Sequence, residues 1–518
     1  MEEKRFYKES YDVIVIGGAL AGLSCAMKLA SEGMDVLVLE KHNLPGGIAT
    51  SFVRNGIEME ATLHEMMSIG PEDKPLYIRE YLDQMKVAVR WLRVPENYTI
   101  YSPKDNLNLT LHPGLDDDGY FVAAKEIEKE FPGNLEKVNK LLMICKKVYE
   151  STLYLNDHTL SKPQLLMQHP ELVKTAGYST VEIMDWLGIP KIVQTVLSAY
   201  YVYVGQPLST LPFTIYSFLM ADYFLGGSFV ARGFSHELAL SMAERCSELG
   251  VQVEFAQTVE KILVKDRRVY GVRTAKGDEI HCKYVVSAPY PDTVYSKMIE
   301  PASEVPPEAI KLFHARKVSV SCFSVVMVLD KTPEELNISG YNVFSSDIPY
   351  DTDEFWAQGK NLGGWSNLST ICLNFANPDC VPAGMTSLST TVLPLSESFF
   401  GVTADDYFEV KRKVAKEMID KVSEYLGVNL LDHIVEIEIE TPVTESHYCG
   451  QYLGCVYGYQ HCMDDSIVAR LDAYPKEHYI GGLTWASSAA LTGNGMACNI
   501  NNGRIAAKVV LTWKEEGK

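Results

Sequence analysis

Two hydrophobic patterns alternate along the chain and predict an α/β protein with a helical insertion. Tyr11–Ile16 is a run of apolar, mostly β-branched residues, which predicts a buried strand. A glycine turn and an apolar helix follow, and Val36–Leu39 repeats the strand pattern. From about residue 77 to 223 helical periodicity dominates, and strand-like runs then resume.

The same patterns place the later elements, with a closing helix at the C-terminus. Helices are expected over residues 123–131, 134–153, 190–203, 234–249, 407–426 and about 497–513. Strands are expected over residues 51–53, 56–60, 250–255, 259–264, 269–273, 283–288, 318–329 and 478–483.

The first strand, turn, helix and second strand together predict a dinucleotide site. Gly17 can make the tight turn out of the strand, and Gly22 lets the helix pack closely on the sheet. The N-terminus of that helix presents free N–H groups and a positive dipole end to a pyrophosphate. Glu40 ends the second strand, where an acid accepts hydrogen bonds from ribose hydroxyls. Ala19 replaces the middle glycine of the fingerprint, and its methyl group leaves a pyrophosphate less room to approach the backbone.

Charge and cysteine usage exclude several classes of protein. A formal net charge of −20 argues against nucleic-acid binding and against a polybasic membrane anchor. The 11 cysteines are scattered without zinc-site spacing, so we predict reduced thiols and no metal site. Residues 1–10 are charged and contain no apolar signal segment, which favours a cytoplasmic location.

The longest uncharged stretch, Ile192–Ala221, is interrupted by Gly205, Pro207 and Pro212. It therefore predicts two shorter apolar helices, buried or lining a tunnel, rather than one membrane-spanning helix. Peripheral contact with a membrane surface stays open as an alternative.

Further motifs, taken in order and spacing, resemble the phytoene desaturase, carotenoid isomerase and retinol saturase flavoproteins of the amine-oxidase-like superfamily. The resemblance covers nearly the whole chain. The motifs that carry it are Gly17–Gly22, Glu40-Lys41, Pro45–Gly47, Gly56–His64, Gly226–Ser235, the block from Leu249 through Val259 to Ser287, Asn377-Pro378, Pro382–Gly384, Thr441-Pro442, Tyr457-Gly458, Gly482 and Gly493–Gly495.

The resemblance implies an α/β fold with a Rossmann-type FAD-binding domain (GR2-like flavoprotein fold), interrupted by a mixed α+β substrate-binding domain. Residues 10–76, 226–310 and 441–518 would form the discontinuous FAD-binding domain, and residues 77–225 and 311–440 the substrate-binding domain. The cofactor would be FAD. Its expected contacts are Gly17, Gly18, Ala19, Leu20, Ala21, Gly22, Glu40, Lys41, Gly46, Gly47, Ile48, Thr50, Thr62, Leu63, Val259, Gly482, Thr484, Gly495 and Met496.

Three residues depart from the family pattern. Besides Ala19, Leu483 occupies a position where the family often has an acid, and Thr484 would partly substitute for it. Ile48 follows the glycine pair where amine oxidases and many desaturases have arginine. The absence of this arginine places the chain nearer the isomerases and saturases.

Two candidate catalytic residues follow from the resemblance, each with a structural alternative. His64 would lie beside the flavin and donate a proton or hydrogen-bond the substrate, or it is a structural histidine. Tyr457 would line the substrate cavity, or it is a buried aromatic anchor. The aromatic residues of 199–224 would form a long apolar wall, although helical core packing explains their spacing equally well.

The predicted function is that of an FAD-dependent oxidoreductase or isomerase acting on carbon–carbon double bonds of a hydrophobic polyene or unsaturated lipid, such as a carotenoid, retinoid or fatty acid. Hydride would pass through flavin, with proton transfer assisted by the protein. The alternatives are an FAD-dependent amine oxidase and a non-catalytic flavin- or lipid-binding protein. Sequence leaves open the electron partner and the choice among saturation, desaturation and isomerisation.

Overall fold

The computed structural model describes residues 7–61, 65–158, 160–489 and 495–518. Its strands are β1 (Ser10–Ile16), β2 (Val36–Leu39), β3 (Ser51–Arg54), β4 (Ile57–Glu60), β5 (Trp91–Arg93), β6 (Tyr98–Ser102), β7 (Leu107–Leu111), β8 (Phe229–Ala231), β9 (Gln252–Glu254), β10 (Val259–Lys265), β11 (Arg268–Thr274), β12 (Glu279–Ser287), β13 (Ile299–Glu300), β14 (Phe323–Leu329), β15 (Asn342–Ser346), β16 (Asn367–Cys372), β17 (Thr386–Val392), β18 (Ile434–Glu440) and β19 (Leu483–Trp485). Its helices are α1 (Leu20–Ser31), α2 (Tyr77–Gln84), α3 (Val122–Glu130), α4 (Leu135–Asp157), α5 (Lys162–Gln168), α6 (Pro170–Thr175), α7 (Thr180–Trp186), α8 (Lys191–Leu197), α9 (Tyr201–Val204), α10 (Phe213–Gly226), α11 (Phe234–Glu248), α12 (Pro291–Thr293), α13 (Pro307–Ala315), α14 (Thr352–Gln358), α15 (Tyr407–Leu426), α16 (Pro442–Thr444), α17 (Ile467–Ala473) and α18 (Met496–Glu515).

The larger sheet has a parallel centre, as a Rossmann-type fold requires. Its order is β13-β10-β11-β12-β1-β2-β9, and β19 also pairs with β12. β1 runs parallel to both neighbours, so that Ile16 pairs with Ser287 on β12 and with Leu39 on β2. Because α1 connects β1 to β2, the ends of both strands and the start of α1 meet at one edge of the sheet.

The second sheet follows the order β18-β14-β17-β16-β15-β6-β7. Its pairs are antiparallel except for the parallel pair β15–β6. One face is covered by α15, where Met418 and Val422 share a hydrophobic core with Phe323 and Met327 of β14. Every residue of β14 is buried, which explains its continuous apolar run.

The strands of each sheet come from separate parts of the chain. Those of the larger sheet lie within residues 10–39, 252–300 and 483–485, and those of the second sheet within 98–111 and 323–440. The expected α/β class is therefore confirmed. The division into FAD-binding and substrate-binding domains stays a prediction.

Long periodic elements were predicted well, and short ones less so. α15 has the predicted bounds, and α18 extends the predicted closing helix at both ends. The single helix expected over 190–203 is wrong: it is split into α8 and α9, between which Tyr200 packs its ring 4.7 Å from that of Tyr98 and 4.6 Å from that of Tyr223. The strand expected over 478–483 is also wrong, because pairing with β12 begins only at Leu483.

The uncharged stretch around residue 200 forms α8, α9 and most of α10, in line with short apolar helices. Across the described parts of the chain, no helix combines the length and the apolar character needed to cross a membrane.

Close packing of α1 on α18 leaves no space for a side chain at Gly503. A Cβ there would lie 2.1 Å from the carbonyl oxygen of Ala21 and 2.8 Å from Cβ of Ser24. We expect Gly503→Ala to lower the free energy of unfolding by about 1–3 kcal/mol because the two helices must separate. Urea denaturation followed by circular dichroism measures this.

Gly177→Ala is the matched control, since a Cβ at Gly177 has no neighbouring atom within 4 Å. Its free energy of unfolding should change by no more than about 0.5 kcal/mol. Equal stability of the two variants would contradict the packing described for α1 and α18.

Candidate functional site

A cavity of about 550 Å³ is lined by residues from both sheets. Ile16 and Leu39 contribute from the ends of β1 and β2, and Ser369 and Thr391 from β16 and β17. The N-terminal end of α18 and the helical segment α9–α10 complete the wall. The cavity therefore connects the dinucleotide fingerprint with the apolar helices of the insertion.

The turn between β1 and α1 brings backbone, rather than side chains, to the cavity. Gly17 has φ +103°, and a Cβ on it would lie 2.8 Å from Cβ of Ala288. A Cβ on Gly22 would lie 2.0 Å from the carbonyl oxygen of Gly17. No side chain caps the N-terminus of α1 at Ala19, so its first N–H groups remain available to an anion.

Glu40 is held rigidly at the end of β2. Its side chain is buried and accepts hydrogen bonds from the backbone N–H of Gly18, at 2.6 Å, and of His42, at 2.8 Å. It also lines the cavity. This is the position and chemistry that a ribose-binding acid requires.

The loop after β2 accommodates the unusual Ala19. Gly46, with φ +113°, donates its N–H to the carbonyl oxygen of Gly18 at 2.9 Å. A Cβ on Gly47 would lie 3.1 Å from Cβ of Ala19, so the absent side chain at Gly47 leaves room for the methyl group. The apolar side chain of Ile48 contributes to the cavity wall next to this loop.

Most of the predicted cofactor contacts line the cavity. They are Gly17, Ala19, Leu20, Ala21, Glu40, Lys41, Gly46, Gly47, Ile48, Val259, Gly495 and Met496. Gly18 donates its N–H to Glu40, and Gly22 packs against the carbonyl oxygen of Gly17, but neither glycine is among the lining residues. Thr62, Leu63 and His64 lie outside the described residues.

Three further predicted contacts, Thr50, Gly482 and Thr484, are not among the residues that line the cavity. The hydroxyl of Thr50 donates to the carbonyl oxygen of Ser51. Thr484 is fully buried, and its hydroxyl lies 3.2 Å from that of Tyr474 and 3.0 Å from Nε2 of His478. A Cβ on Gly482 would lie 2.8 Å from the carbonyl oxygen of Lys283.

Residues just after β19 line the cavity, where the sequence had predicted Gly482 and Thr484. Ala486, Ser487 and Ser488 line the cavity, as do Gln257, Thr258 and Ala288–Tyr290. Sequence reasoning missed them because small residues after a short strand carry no distinct signal. The cofactor contacts of individual residues stay predictions.

The tyrosine-rich segment divides between wall and core. Tyr203, Ile215, Phe218, Leu219 and Tyr223 line the cavity. By contrast, Tyr200, Phe213, Tyr216 and Phe224 are buried in the hydrophobic core. Both interpretations of the aromatic spacing therefore hold, for different faces of α9 and α10.

Tyr457 lines the cavity with its ring, and its hydroxyl is engaged elsewhere. The hydroxyl donates to the carbonyl oxygen of Val202 at 2.7 Å. Burial raises the pKa of Tyr457, so the phenol keeps its proton. These contacts favour the anchoring role, and a catalytic role for Tyr457 stays a prediction.

Glu65 is a cavity residue that the sequence analysis did not select. Its carboxylate accepts a hydrogen bond from the Ser228 hydroxyl at 2.7 Å and lies 3.4 Å from Nδ2 of Asn342. The next residue, Met66, exchanges two backbone hydrogen bonds with Phe229 and so fixes the segment on β8. Burial raises the pKa of Glu65 to about 7, which hydrogen bonds only partly oppose. The sequence offered one signal that could have indicated Glu65, which is its position directly after the candidate catalytic residue His64.

Two basic side chains on the wall have depressed pKa values. Burial lowers the pKa of Lys41, although the nearby Cys449 and Glu40 act to raise it. Burial, reinforced by the positive charge of Arg470, lowers the pKa of His461 well below its usual value. His461 is therefore neutral, whereas burial raises the pKa of Glu65 on the same cavity wall to about 7.

Known proteins resemble this chain over most of its length. Prolycopene isomerase 2 of an Oncidium hybrid cultivar is 25% identical over 87% of this chain and 75% of its own. All-trans-retinol 13,14-reductase of Danio rerio is 24% identical over 88% of this chain and 78% of its own. These relatives confirm the resemblance to carotenoid isomerases and retinol saturases.

The fold is shared with a solved amine oxidase. Putrescine oxidase, in a structure with putrescine bound, superposes with a TM-score of 0.62 at 12% identity, covering 98% of this chain and 99% of its own. The family model for flavin containing amine oxidoreductases matches residues 20–393, more than half of the chain. The family match and the glycine turn with Glu40 at the cavity both indicate FAD as the cofactor. The chain therefore belongs to the family of flavin containing amine oxidoreductases and is an FAD-dependent oxidoreductase.

Proposed function

We propose that this protein acts on carbon–carbon double bonds of a hydrophobic polyene or a related unsaturated lipid. The observation that carries the proposal is the continuity of one cavity from the β1–α1 turn to an aromatic and aliphatic wall. The relatives named above as a prolycopene isomerase and a retinol reductase act on such molecules by name, which supports the same substrate class here.

The nucleotide end of the cavity fits the ADP half of FAD. The glycine turn gives the pyrophosphate close access to the N-terminus of α1, and Glu40 is positioned to accept from the ribose. Lys41 and Val259 extend the wall beyond Glu40. When bound, FAD supplies the capacity to accept or donate hydride at carbon.

Glu65 is the residue we assign to proton transfer. Its pKa of about 7 lets the carboxyl hold a proton below neutral pH and accept one above it. Ser228 fixes one carboxyl oxygen, while the side chain faces the cavity. His64, its neighbour in sequence, stays the second candidate for this role.

The opposite wall would orient an apolar substrate and exclude water. Phe218, Leu219 and Tyr223 present apolar surface from one helix, α10. Val202 and Tyr457 continue the wall and are joined by a hydrogen bond from the phenol hydroxyl to the carbonyl oxygen of Val202. Such a wall binds a long hydrocarbon by burial of apolar area rather than by polar recognition.

An amine oxidase is the second candidate, because the fold is shared with putrescine oxidase. The wall carries Ile48 next to the glycine loop, at the position where the family resemblance leads us to expect arginine in an amine oxidase. Release of peroxide with an amine under oxygen would support this candidate. A protein that keeps bound flavin but never changes its spectrum with any substrate would instead be a non-catalytic binder.

The first prediction from this proposed function concerns the reaction itself. Protein with reduced FAD, kept anaerobic and mixed with carotenoids, retinoids and unsaturated fatty acids, should convert at least one of them. A gain of two hydrogens identifies saturation, and unchanged mass with altered retention identifies isomerisation. Oxidised FAD under the same conditions should yield loss of two hydrogens if the enzyme desaturates. Mass spectrometry after chromatography measures all three outcomes.

Protein stripped of flavin is the control and should leave every lipid unchanged. If the holoprotein also leaves all of them unchanged in both redox states, the proposed substrate class is wrong. Conversion of amines alone would move the assignment to the amine oxidases.

The second prediction concerns Glu65. Glu65→Gln should lower turnover by about 10²–10⁴-fold and remove the limb near pH 7 from the rate profile. If the carboxyl acts as an acid, the wild-type rate falls as pH rises through 7, because the proton is lost. If it acts as a base, the rate rises over the same interval. Steady-state rates at several pH values distinguish these signs.

Glu60→Gln is the matched control, because burial raises the pKa of Glu60 to about 8 although Glu60 is not among the cavity residues. It should keep the limb near pH 7. If Glu65→Gln retains the limb and His64→Asn loses it, the proton is carried by His64 and not by Glu65.

The third prediction concerns flavin retention. Glu40→Gln removes the charged acceptor beside the turn and should weaken FAD binding by about 10–100-fold, the value of a hydrogen bond to a charged group. Flavin absorbance after dialysis measures occupancy. Thermal unfolding of the stripped protein separates this loss from a general loss of stability. Unchanged occupancy would contradict the assigned ribose contact.

A further inference from the structure

We propose that Cys322, Glu440 and Glu445 form a binding site for a divalent transition-metal ion, with Zn²⁺ as the best match. One ligand atom from each side chain lies within 4.8 Å of the others, and all three residues are buried. The site is distinct from the residues assigned to FAD and to proton transfer.

Three elements bring these side chains together. Cys322 directly precedes β14, and Glu440 is the last residue of β18, where it pairs with Ser324. Glu445 begins a π-helical turn, Glu445–Cys449, and its backbone N–H donates to the carbonyl oxygen of Thr441 at 3.1 Å. Wide turns of this kind are rare and are often found at functional sites.

The two carboxylates lack the partners that their burial demands. Glu440 is 8% exposed and Glu445 is 4% exposed. Within the described residues, Oε2 of each carboxylate has no hydrogen-bond partner. A buried polar atom without a partner is costly, and two acids at this distance repel each other when both are charged. A bound cation would resolve both problems at once.

Burial also acts on the charge of the two acids. Burial raises the pKa of both Glu440 and Glu445, and the charge of Glu445 raises that of Glu440 further. The positive charge of Lys411 opposes this rise to a smaller extent.

The donor set selects the class of metal. Thiolate and carboxylate oxygen together suit Zn²⁺, which binds sulfur at about 2.3 Å and carboxylate oxygen at about 2.0–2.2 Å. Cys449 closes the same turn and hydrogen-bonds to Glu445, next to these three ligands. Three protein ligands leave the fourth position of a tetrahedral site to water. On binding, Cys322 releases its thiol proton to solvent, and so does each of Glu440 and Glu445 that is protonated, so that a thiolate and two carboxylates face the ion.

The proposed metal site adjoins the cavity through Cys322, but it does not include the residues expected to bind FAD. Cys322 and Cys449 line the cavity, whereas Glu440 and Glu445 lie behind them. No short motif in the sequence indicates the site, because Cys322 is far in sequence from the other ligands. An ion there would tie the start of β14 to the end of β18 and to the π-helical turn.

The test is metal retention by the FAD-loaded protein. The protein is first treated with a chelator, then given ZnCl₂, passed through a desalting column and analysed by plasma mass spectrometry. We expect about one zinc per chain, and X-ray absorption should show sulfur at about 2.3 Å together with oxygen. Cys322→Ser and the double variant Glu440→Gln with Glu445→Gln should each lower retention at least about tenfold.

Cys380→Ser and Glu436→Gln are the matched controls. Cys380 is a buried free thiol outside the cluster, and Glu436 is a partly exposed acid on β18. Both variants should retain zinc as the wild type does, and flavin absorbance reports whether each variant is folded.

Two results would overturn the proposal. One is wild-type protein that keeps less than about a tenth of an equivalent of zinc after loading. The other is retained zinc whose absorption spectrum shows no sulfur ligand. In either case the acids share protons instead of binding a metal. Both results are read from wild-type protein, so the proposal stays testable even if a variant fails to fold.

Discussion

The site depends on backbone packing around α1 that excludes side chains. At Gly22 a Cβ would lie 2.0 Å from the carbonyl oxygen of Gly17, and at Gly503 it would lie 2.1 Å from that of Ala21. α1 is thus held between the parallel sheet and α18 at distances that only glycine permits. This fixes the N-terminus of α1 at the cavity, next to Glu40. Without this packing, neither the positive end of the helix nor the carboxylate of Glu40 would have a defined position.

The second constraint is the burial of acids around the cavity. Glu65, Glu440 and Glu445 all have raised pKa values because burial disfavours the charged carboxylate. Their surroundings differ, and so do the roles we assign. Glu65 faces the cavity and has hydrogen-bond donors, which suits proton exchange with a substrate. Glu440 and Glu445 lie behind the wall beside a thiol, with one unpaired oxygen each, which suits a bound cation.

In the function proposed above, cofactor and substrate are bound by different kinds of structure. The cofactor end uses a glycine turn and a helix N-terminus on the parallel sheet. The substrate end uses helices of the insertion, whose apolar faces divide between core and cavity. Family membership rests on the flavin architecture, which is why amine oxidases share the fold at 12% identity. In the same proposal, the apolar wall residues of the insertion and Ile48 select the kind of substrate.

The sequence by itself determined the class of fold, the dinucleotide fingerprint and the long helices α15 and α18, because these follow from local periodicity and turn chemistry. It could not place β19, whose limits are set by pairing with β12, or the break between α8 and α9, where Tyr200 packs against distant rings. Only the tertiary structure brought Glu65 to the cavity and Cys322 to Glu440 and Glu445. The pKa of a side chain and the partners of a buried oxygen are properties of its surroundings, which residues distant in sequence supply.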